Sequence, residues 1–207
     1  MPRKAIVSSP KRDLSRLEFH ALTPGRWGDL EALFGVRGAC GGCWCMTWRL
    51  ARSEFNRQKG EGNHRALHAL VASGAEPGLL AYAGDAPVGW CAVAPRESYP
   101  VLERSRILAR VDDRPVWSIT CLFVARPARR AGVSVALIHA AAAHATHHGA
   151  SLVEAYPVEP YSEQMPPAFA WTGLASAYLQ AGFVEVARRS RTRPIVRFET
   201  GVPTSRT

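Results

Sequence analysis

The sequence predicts a mixed α/β domain built around a parallel strand-helix-strand unit at residues 116–156. Three observations carry this. Residues 116–124 (Val-Trp-Ser-Ile-Thr-Cys-Leu-Phe-Val) are apolar at most positions of both alternating faces, the pattern of a central strand covered on both sides. Residues 133–150 contain no Asp, Glu, Lys or Arg and are dense in Ala, with Leu137 and Ile138, which reads as a largely buried helix. Residues 151–156 then form a second apolar run closed by Pro157, so the two strands are parallel and joined by a right-handed crossover.

The other elements follow in chain order. Residues 1–14 are polar and basic and read as a loose arm, and residues 15–200 as one domain. Residues 16–22 alternate as a first strand. Thr23 and Pro24 read as an N-cap and first-turn proline before an amphipathic helix carrying Trp27, Leu30, Leu33 and Phe34. Residues 38–49 are rich in Gly, Cys and Trp. Residues 54–73 are helical but interrupted at Gly60 and Gly62. Gly84-Asp85 turns one strand (79–83) into the next (87–93) as a hairpin. Residues 95–110 are an excursion, either a surface helix and linker or one wall of a pocket. Gly149, after His147 and His148, reads as a helix C-cap. A long proline-punctuated loop (157–167) must cross the active end of the sheet. A short helix (172–181) capped by Gly182 and two closing strands (183–187, 194–198) complete the domain, and residues 201–207 are a tail.

At the junction of the central strand and its helix the chain places Arg129, Arg130, Ala131, Gly132, Val133 and Ser134. A helix N-terminus leaves backbone N–H groups unsatisfied at the positive end of the macrodipole, so a phosphate or pyrophosphate is a natural guest. Glycine allows close backbone approach, and arginines add charge-assisted hydrogen bonds. Neither the three-glycine dinucleotide fingerprint nor the Gly-Lys-Ser/Thr loop is present.

The pattern Arg129-x-x-Gly132-x-Ser134 resembles the acyl-CoA signature of the GNAT N-acetyltransferase superfamily, Arg/Gln-x-x-Gly-x-Gly/Ala, with serine as a small departure at the last position. Val124, Pro127 and the stretch Tyr178-Leu179-Gln180-Ala181-Gly182-Phe183 fall where that superfamily has them, and residues 41–49 are similar to a Gly-Gly-Cys-Trp-Cys-Met-x-Trp-Arg segment of one bacterial branch. The resemblance covers roughly residues 16–199. It implies a GNAT-like, mostly antiparallel twisted sheet of six to seven strands with helices on both faces. It also implies acetyl-CoA as donor and coenzyme A as product. The amides near Cys121, Leu122, Phe123 and Val124 would pair with pantetheine, and those from Arg129 to Ser134 would take the pyrophosphate.

Acetyl transfer to an amine needs a held thioester, a stabilised oxyanion, a deprotonated acceptor and a protonated leaving thiolate. By its spacing to Gly182-Phe183, Tyr178 resembles the superfamily's general acid; as a bare residue it equally reads as aromatic packing on the last helix. The central strand carries no carboxylate. Glu154, in an otherwise apolar run, is therefore the first candidate base and Glu159 the second, and either reads equally as a satisfied structural carboxylate. Trp44, Cys45 and Trp48 offer a flexible aromatic wall for the acceptor, with Tyr99 and Tyr156 on neighbouring segments. Cys121 could act as an acyl-accepting nucleophile, although a cysteine on a core strand reads first as buried packing.

Composition narrows the class. Hydrophobic residues make up 47% of 207, ample for one core, and no run has membrane-span or signal-peptide character, so a cytoplasmic protein is expected. Five cysteines, an odd number, are expected reduced. The spacing of Cys40, Cys43 and Cys45 invites zinc, but a structural site wants four ligands and the nearest histidine, His64, lies across a charged segment, so no metal is expected. The net charge of +9 favours anionic ligands. Coenzyme A accounts for part of it, and an aminoacyl-tRNA or other nucleic acid is the less favoured alternative. The expected partner is a small-molecule amine, with a protein amine as second choice, acted on by a monomer or homodimer; a non-catalytic coenzyme A sensor is the third reading.

Overall fold

The computed structural model describes Leu14, residues 16–161 and residues 165–202. The expected basic arm and C-terminal tail lie outside the described residues, apart from Leu14, Gly201 and Val202.

Seven strands, β1 (Leu17–Ala21), β2 (Gly78–Ala83), β3 (Ala86–Pro95), β4 (Trp117–Val124), β5 (Leu152–Ala155), β6 (Val184–Arg188) and β7 (Pro194–Glu199), form one sheet in the order β1-β2-β3-β4-β5-β7-β6. All neighbours are antiparallel except β4 and β5, so the expected mixed sheet with one central parallel pair is what forms. Among the described residues six α-helices accompany it: α1 (Trp27–Phe34), α2 (Arg52–Arg57), α3 (Glu61–Ala72), α4 (Pro100–Glu103), α5 (Val133–His147) and α6 (Ala175–Gln180).

Strand alternation sorts the core onto two faces. Leu79, Ala81, Cys91 and Val93 point to the side covered by α5 and α6, whereas Leu80, Tyr82, Trp90 and Ala92 point to the side covered by α1, α3 and the cysteine-rich loop. A third cluster, with Tyr99, Leu102, Leu108, Tyr156 and Ile195, lies under the segment that follows β3.

Helix α5 buries a stripe of Val133, Leu137, Ile138, Ala141, Ala142 and Ala145, while His139, Ala143 and His147 remain exposed. The absence of charge thus reflects an alanine-rich outer face, and the helix is less enclosed than its composition suggests. Each fully buried Leu or Ile contributes about 1.5–3 kcal/mol. Close packing depends on Gly89 of β3, where an added Cβ would lie 2.8 Å from Leu137 Cδ1 and 3.3 Å from Val133 Cγ1. The helix ends as expected at Gly149 (φ 81°): its N–H bonds the Thr146 carbonyl at 2.9 Å and the Ala150 N–H bonds the Ala145 carbonyl at 2.9 Å, a Schellman turn. At the other end of the chain, Thr23 makes no capping bond and precedes a 3-10 turn (Pro24–Arg26), so α1 starts only at Trp27.

One irregularity positions the site. Between β3 and β4 the partner of Ala92 is Cys121 and that of Val93 is Ile119, leaving Thr120 as an extra residue. Such a bulge bends and twists its strand. Strands β4 and β5 pair only over Trp117–Ile119 and Val153–Ala155, so beyond the bulge β4 has no strand neighbour on that side and a cleft opens beside it.

Candidate active site

The cleft has a cationic end. After β4 the chain makes a 3-10 turn (Arg126–Ala128), passes through Arg130 (φ 63°) and reaches Gly132 (φ 76°), the left-handed N-cap of α5. No side chain caps this terminus, and the first helical bond runs from the Ala136 N–H to the Gly132 carbonyl at 3.1 Å. The amides of Val133, Ser134 and Val135 therefore have no intrahelical acceptor. A Cβ on Gly132 would meet nothing within 4 Å, so a ligand can approach the backbone directly. Arg126, Arg129 and Arg130 are exposed around it, and Arg129 Nε donates to the Val124 carbonyl at 3.0 Å, which ties its guanidinium to the end of β4. Val133 differs from its neighbours: its side chain is core, so only its amide belongs to the loop.

From this turn a cavity of about 530 Å³ runs along Leu122, Phe123 and Val124, bounded by Arg129, Ser134 and Trp171. It continues, sharing Ala39, Cys40, Leu122, Phe123, Ala168 and Trp171, into a second cavity of about 270 Å³ lined by Cys43, Cys45, Thr47, Trp48 and Cys121. The two form one trough with a cationic end and an apolar end.

The central-strand amides divide by strand alternation. The Ala125 N–H bonds the Val88 carbonyl at 2.9 Å, so Phe123 and Cys121, two and four residues back, also turn their backbone groups to β3. Leu122 and Val124 face the cleft. Of these, the Leu122 N–H already donates to the Trp171 carbonyl at 2.7 Å, leaving the Leu122 carbonyl and the Val124 N–H toward the trough. Of the four strand residues expected to offer amides, Cys121 and Phe123 reach the site through side chains instead.

The apolar end is made by the loop at residues 38–46. Ala39 (φ 65°), Trp44 (φ 42°) and Cys45 (φ 53°) take left-handed backbone conformations that non-glycine residues rarely adopt. Tertiary contacts hold them: Gly42 O accepts from the Gly60 N–H at 3.0 Å and from Asn63 Nδ2 at 3.1 Å. Cys45 is brought to the floor of the pocket, its Sγ 3.3 Å from Cys121 Sγ and accepting from Trp90 Nε1 at 3.0 Å. The Cys121 contact and burial both push the Cys45 thiol well above its usual pKa, and burial raises that of Cys43. Trp48 forms a wall, 5.7 Å from the Trp171 ring, and its Nε1 is buried without a hydrogen-bond partner. Trp44 turns away, packing between Trp27, Phe34 and His64 and bordering a separate cavity.

Three other residues singled out from sequence stand outside the trough. Glu154 is fully buried: its Oε1 accepts from Arg96 Nη1 at 2.9 Å and from the Tyr156 hydroxyl at 2.7 Å, and its Oε2 accepts from Arg197 Nε at 2.8 Å. Tyr156, also fully buried, accepts from Arg96 Nη1 at 2.6 Å. Tyr99 is enclosed in the same cluster, where its hydroxyl accepts from Arg49 Nη2 at 3.3 Å. A base must reach the acceptor's proton, and Glu154 borders neither cavity of the trough. Glu159 is exposed and paired with Arg188.

Tyr178 is fully buried, and its hydroxyl donates to the Thr172 carbonyl at 3.0 Å. Burial pushes its pKa well above the usual value, so it holds its proton at neutral pH. A Cβ on Gly173, which borders the trough, would lie 3.3 Å from that hydroxyl and 2.7 Å from Leu122 Cδ1, so a single backbone layer separates Tyr178 from the cleft. The motif spacing also has a folding basis: the Phe183 N–H bonds the Tyr178 carbonyl at 3.0 Å across Gly182, and the two rings meet at 5.4 Å.

Sequence reading missed Trp171 and the role of Arg96. The proline-rich loop signalled the first only as a crossing segment. Arg96 is fully buried and donates to Glu103, Glu154, Tyr156 and the Leu108 carbonyl, so it anchors the segment expected as linker or pocket wall. The basic run at residues 188–193 is partly consumed internally: Arg188 pairs with Glu185, and Arg189 donates to the carbonyls of Ala109 and Arg110.

A bulged strand splaying from its parallel neighbour, with a glycine-initiated helix closing the cationic end, is the framework of the site. The family model described as acetyltransferase (GNAT) family matches residues 44–171, and the chain belongs to that family. Solved structures show the same fold at low identity. A GNAT-family acetyltransferase from Listeria monocytogenes aligns at 10% identity over 88% of this chain and 94% of its own, with a TM-score of 0.54. The Salmonella typhimurium protein yncA, solved with its cofactor acetyl-CoA, aligns at 10% identity over 91% and 96%, with a TM-score of 0.51. PaiA N-acetyltransferase from Thermoplasma acidophilum, in complex with coenzyme A, aligns at 12% identity over 89% and 99%, with a TM-score of 0.50. No curated protein matches the chain.

Proposed function

We propose that this protein is an N-acetyltransferase that transfers the acetyl group of acetyl-CoA to the amine of a small, partly apolar molecule by direct attack. The observation that carries this reading is the continuous trough from the Gly132 turn to the Cys45–Trp48 wall. The amides of Val133 and Ser134, with Arg129 and Arg130, suit a pyrophosphate, and the open Leu122 carbonyl and Val124 N–H suit the amide groups of a pantetheine arm. Acetyl-CoA bound there supplies an electrophilic thioester carbonyl.

The chain's own residues then orient and desolvate. Trp48 Nε1, buried and unpaired, is a donor available to the carbonyl oxygen or to a polar group of the acceptor. Among the described residues bordering the trough there is no carboxylate or imidazole, and its apolar end is walled by Phe123, Phe169 and Trp171. Such surroundings lower an ammonium pKa, so the acceptor amine can lose its proton to water on entry. Tyr178, which keeps its proton and lies one backbone layer from the trough at Gly173, is the candidate to return a proton to the leaving thiolate. The small volume of the apolar end, about 270 Å³, favours a compact amine over an extended peptide or an aminoacyl-tRNA.

Thiol release from acetyl-CoA across hydrophobic primary amines, polyamines and N-terminal peptides tests the reading. Turnover should be fastest with a compact apolar amine, and Trp48→Phe should slow it with little change in coenzyme A affinity. Preference for peptides or aminoacyl-tRNA would displace the small-molecule assignment. Tight binding without turnover of any amine would favour a coenzyme A sensor.

A further inference from the structure

At the far end of β4, about 13 Å from the trough by strand length, Trp117 backs another cavity of about 430 Å³. Two histidines one helical turn apart, His144 in α5 and His148 at its C-cap, face Glu76 across it, on the segment entering β2. We propose that Glu76, His144 and His148 form a binding site for a divalent transition-metal ion, zinc foremost, that clamps the C-terminus of α5 to the segment entering β2.

The geometry is that of a nearly assembled ligand set. One donor atom from each residue lies within 4.8 Å of the others, with Glu76 Oε2 3.8 Å from His144 Nε2 and 3.7 Å from His148 Nε2. Metal–nitrogen and metal–oxygen bonds of about 2.0–2.2 Å need only a small contraction of that triangle. Those separations are also too long for hydrogen bonds, so nothing else satisfies these atoms within the cluster.

The lone pairs are directed. His148 Nδ1 lies 2.9 Å from the His144 carbonyl; a carbonyl only accepts, so Nδ1 carries the hydrogen and the Nε2 of the neutral ring presents its lone pair to Glu76. His144 Nε2 is buried without a hydrogen-bond partner, a position that normally demands an explanation. The Trp117 ring packs against both imidazoles, with centroids 5.7 and 5.2 Å away, and fixes their orientation. The arginine bordering the cavity, Arg49, is directed at the Ser98 carbonyl and the Tyr99 hydroxyl. Two imidazoles and a carboxylate suit zinc, nickel or copper and leave a fourth position open to the cavity. The site is independent of acetyl transfer, because none of its residues borders the trough.

The test is calorimetric titration of the full-length, untagged, chelator-treated protein with Zn2+, paired with thermal unfolding and Co2+ absorption. One equivalent should bind, raise Tm by roughly 5–10 °C at a hundredfold excess over Kd, and give a Co2+ spectrum without thiolate charge transfer. His148→Ala and Glu76→Gln, both at accessible side chains, should each weaken binding at least tenfold while the metal-free protein keeps its fold. No binding by the wild type overturns the proposal. So does binding that ignores both variants, or that shows thiolate charge transfer and disappears in Cys43→Ser, which would assign the ion to the cysteine-rich loop.

Discussion

Replacing Glu154 with Gln separates its two readings. In the sheet its carboxylate is 1% exposed and balances Arg96 and Arg197, whose side chains are 1% and 4% exposed. Removing the charge leaves two buried guanidinium groups short of a partner, and breaking a buried pair costs about 3–5 kcal/mol. Arg96 retains Glu103 at 2.7 Å and Arg197 retains Asp112 at 2.6 Å, so the loss should fall near the lower bound, about 3 kcal/mol. For a domain of this size that corresponds to a fall in Tm of roughly 6–12 °C. Thermal unfolding, with thiol release measured well below the transition, reads both consequences. The expectation is a strongly lowered midpoint and a turnover rate within a few-fold of wild type. An unchanged midpoint with a rate reduced by more than about a hundredfold, as loss of a general base gives, would refute the structural assignment and return Glu154 to catalysis.

Other substitutions probe other links. Gly132→Asp places a carboxylate at the mouth of the helix terminus and a side chain at φ 76°, so acetyl-CoA affinity in calorimetry should drop by roughly tenfold or more; unchanged affinity would falsify the loop assignment. Tyr178→Phe should lower the single-turnover rate by about 10²-fold or more with cofactor affinity nearly intact, and an unaltered rate would leave Tyr178 as a packing residue only. Asp112 has its pKa lowered to about 2, chiefly by its hydrogen bond to Arg197. A depressed carboxylate stabilises the fold above its unfolded pKa near 4 and loses that contribution as pH falls toward 2. The urea midpoint should therefore fall more steeply between pH 5 and pH 2.5 in wild type than in Asp112→Asn, and parallel curves would remove Asp112 as a contributor.

The elements that sequence predicted well are those whose cause is local. The strand at 116–124, the helix from Val133, the hairpin at Gly84-Asp85 and the caps at Gly149 and Gly182 follow from periodicity and from residues tolerant of a left-handed backbone. The cationic turn before α5 is equally local, since Arg129, Arg130 and the left-handed Gly132 lie within four consecutive residues. Glu154 was legible only as a carboxylate in an apolar run. Whether that means a base or a buried ion pair depends on Arg96 and Arg197, 58 and 43 residues away. Trp44 and Trp48, four positions apart, read alike in sequence yet separate, because the left-handed turn at Trp44 and Cys45 sends one ring to the core and leaves the other on the cleft.

The sequence by itself determined the mixed α/β class, the parallel unit at its centre and the cationic turn at Gly132, because hydrophobic period and glycine conformation act over a few residues. Tertiary structure alone decided where β4 parts from β5, which backbone groups face the opening, that Cys45 meets Cys121, and that Glu76 lies against two histidines of α5. Those outcomes depend on the bulge at Thr120 and on packing between segments distant in the chain, and no local pattern encodes a contact whose two halves are tens of residues apart.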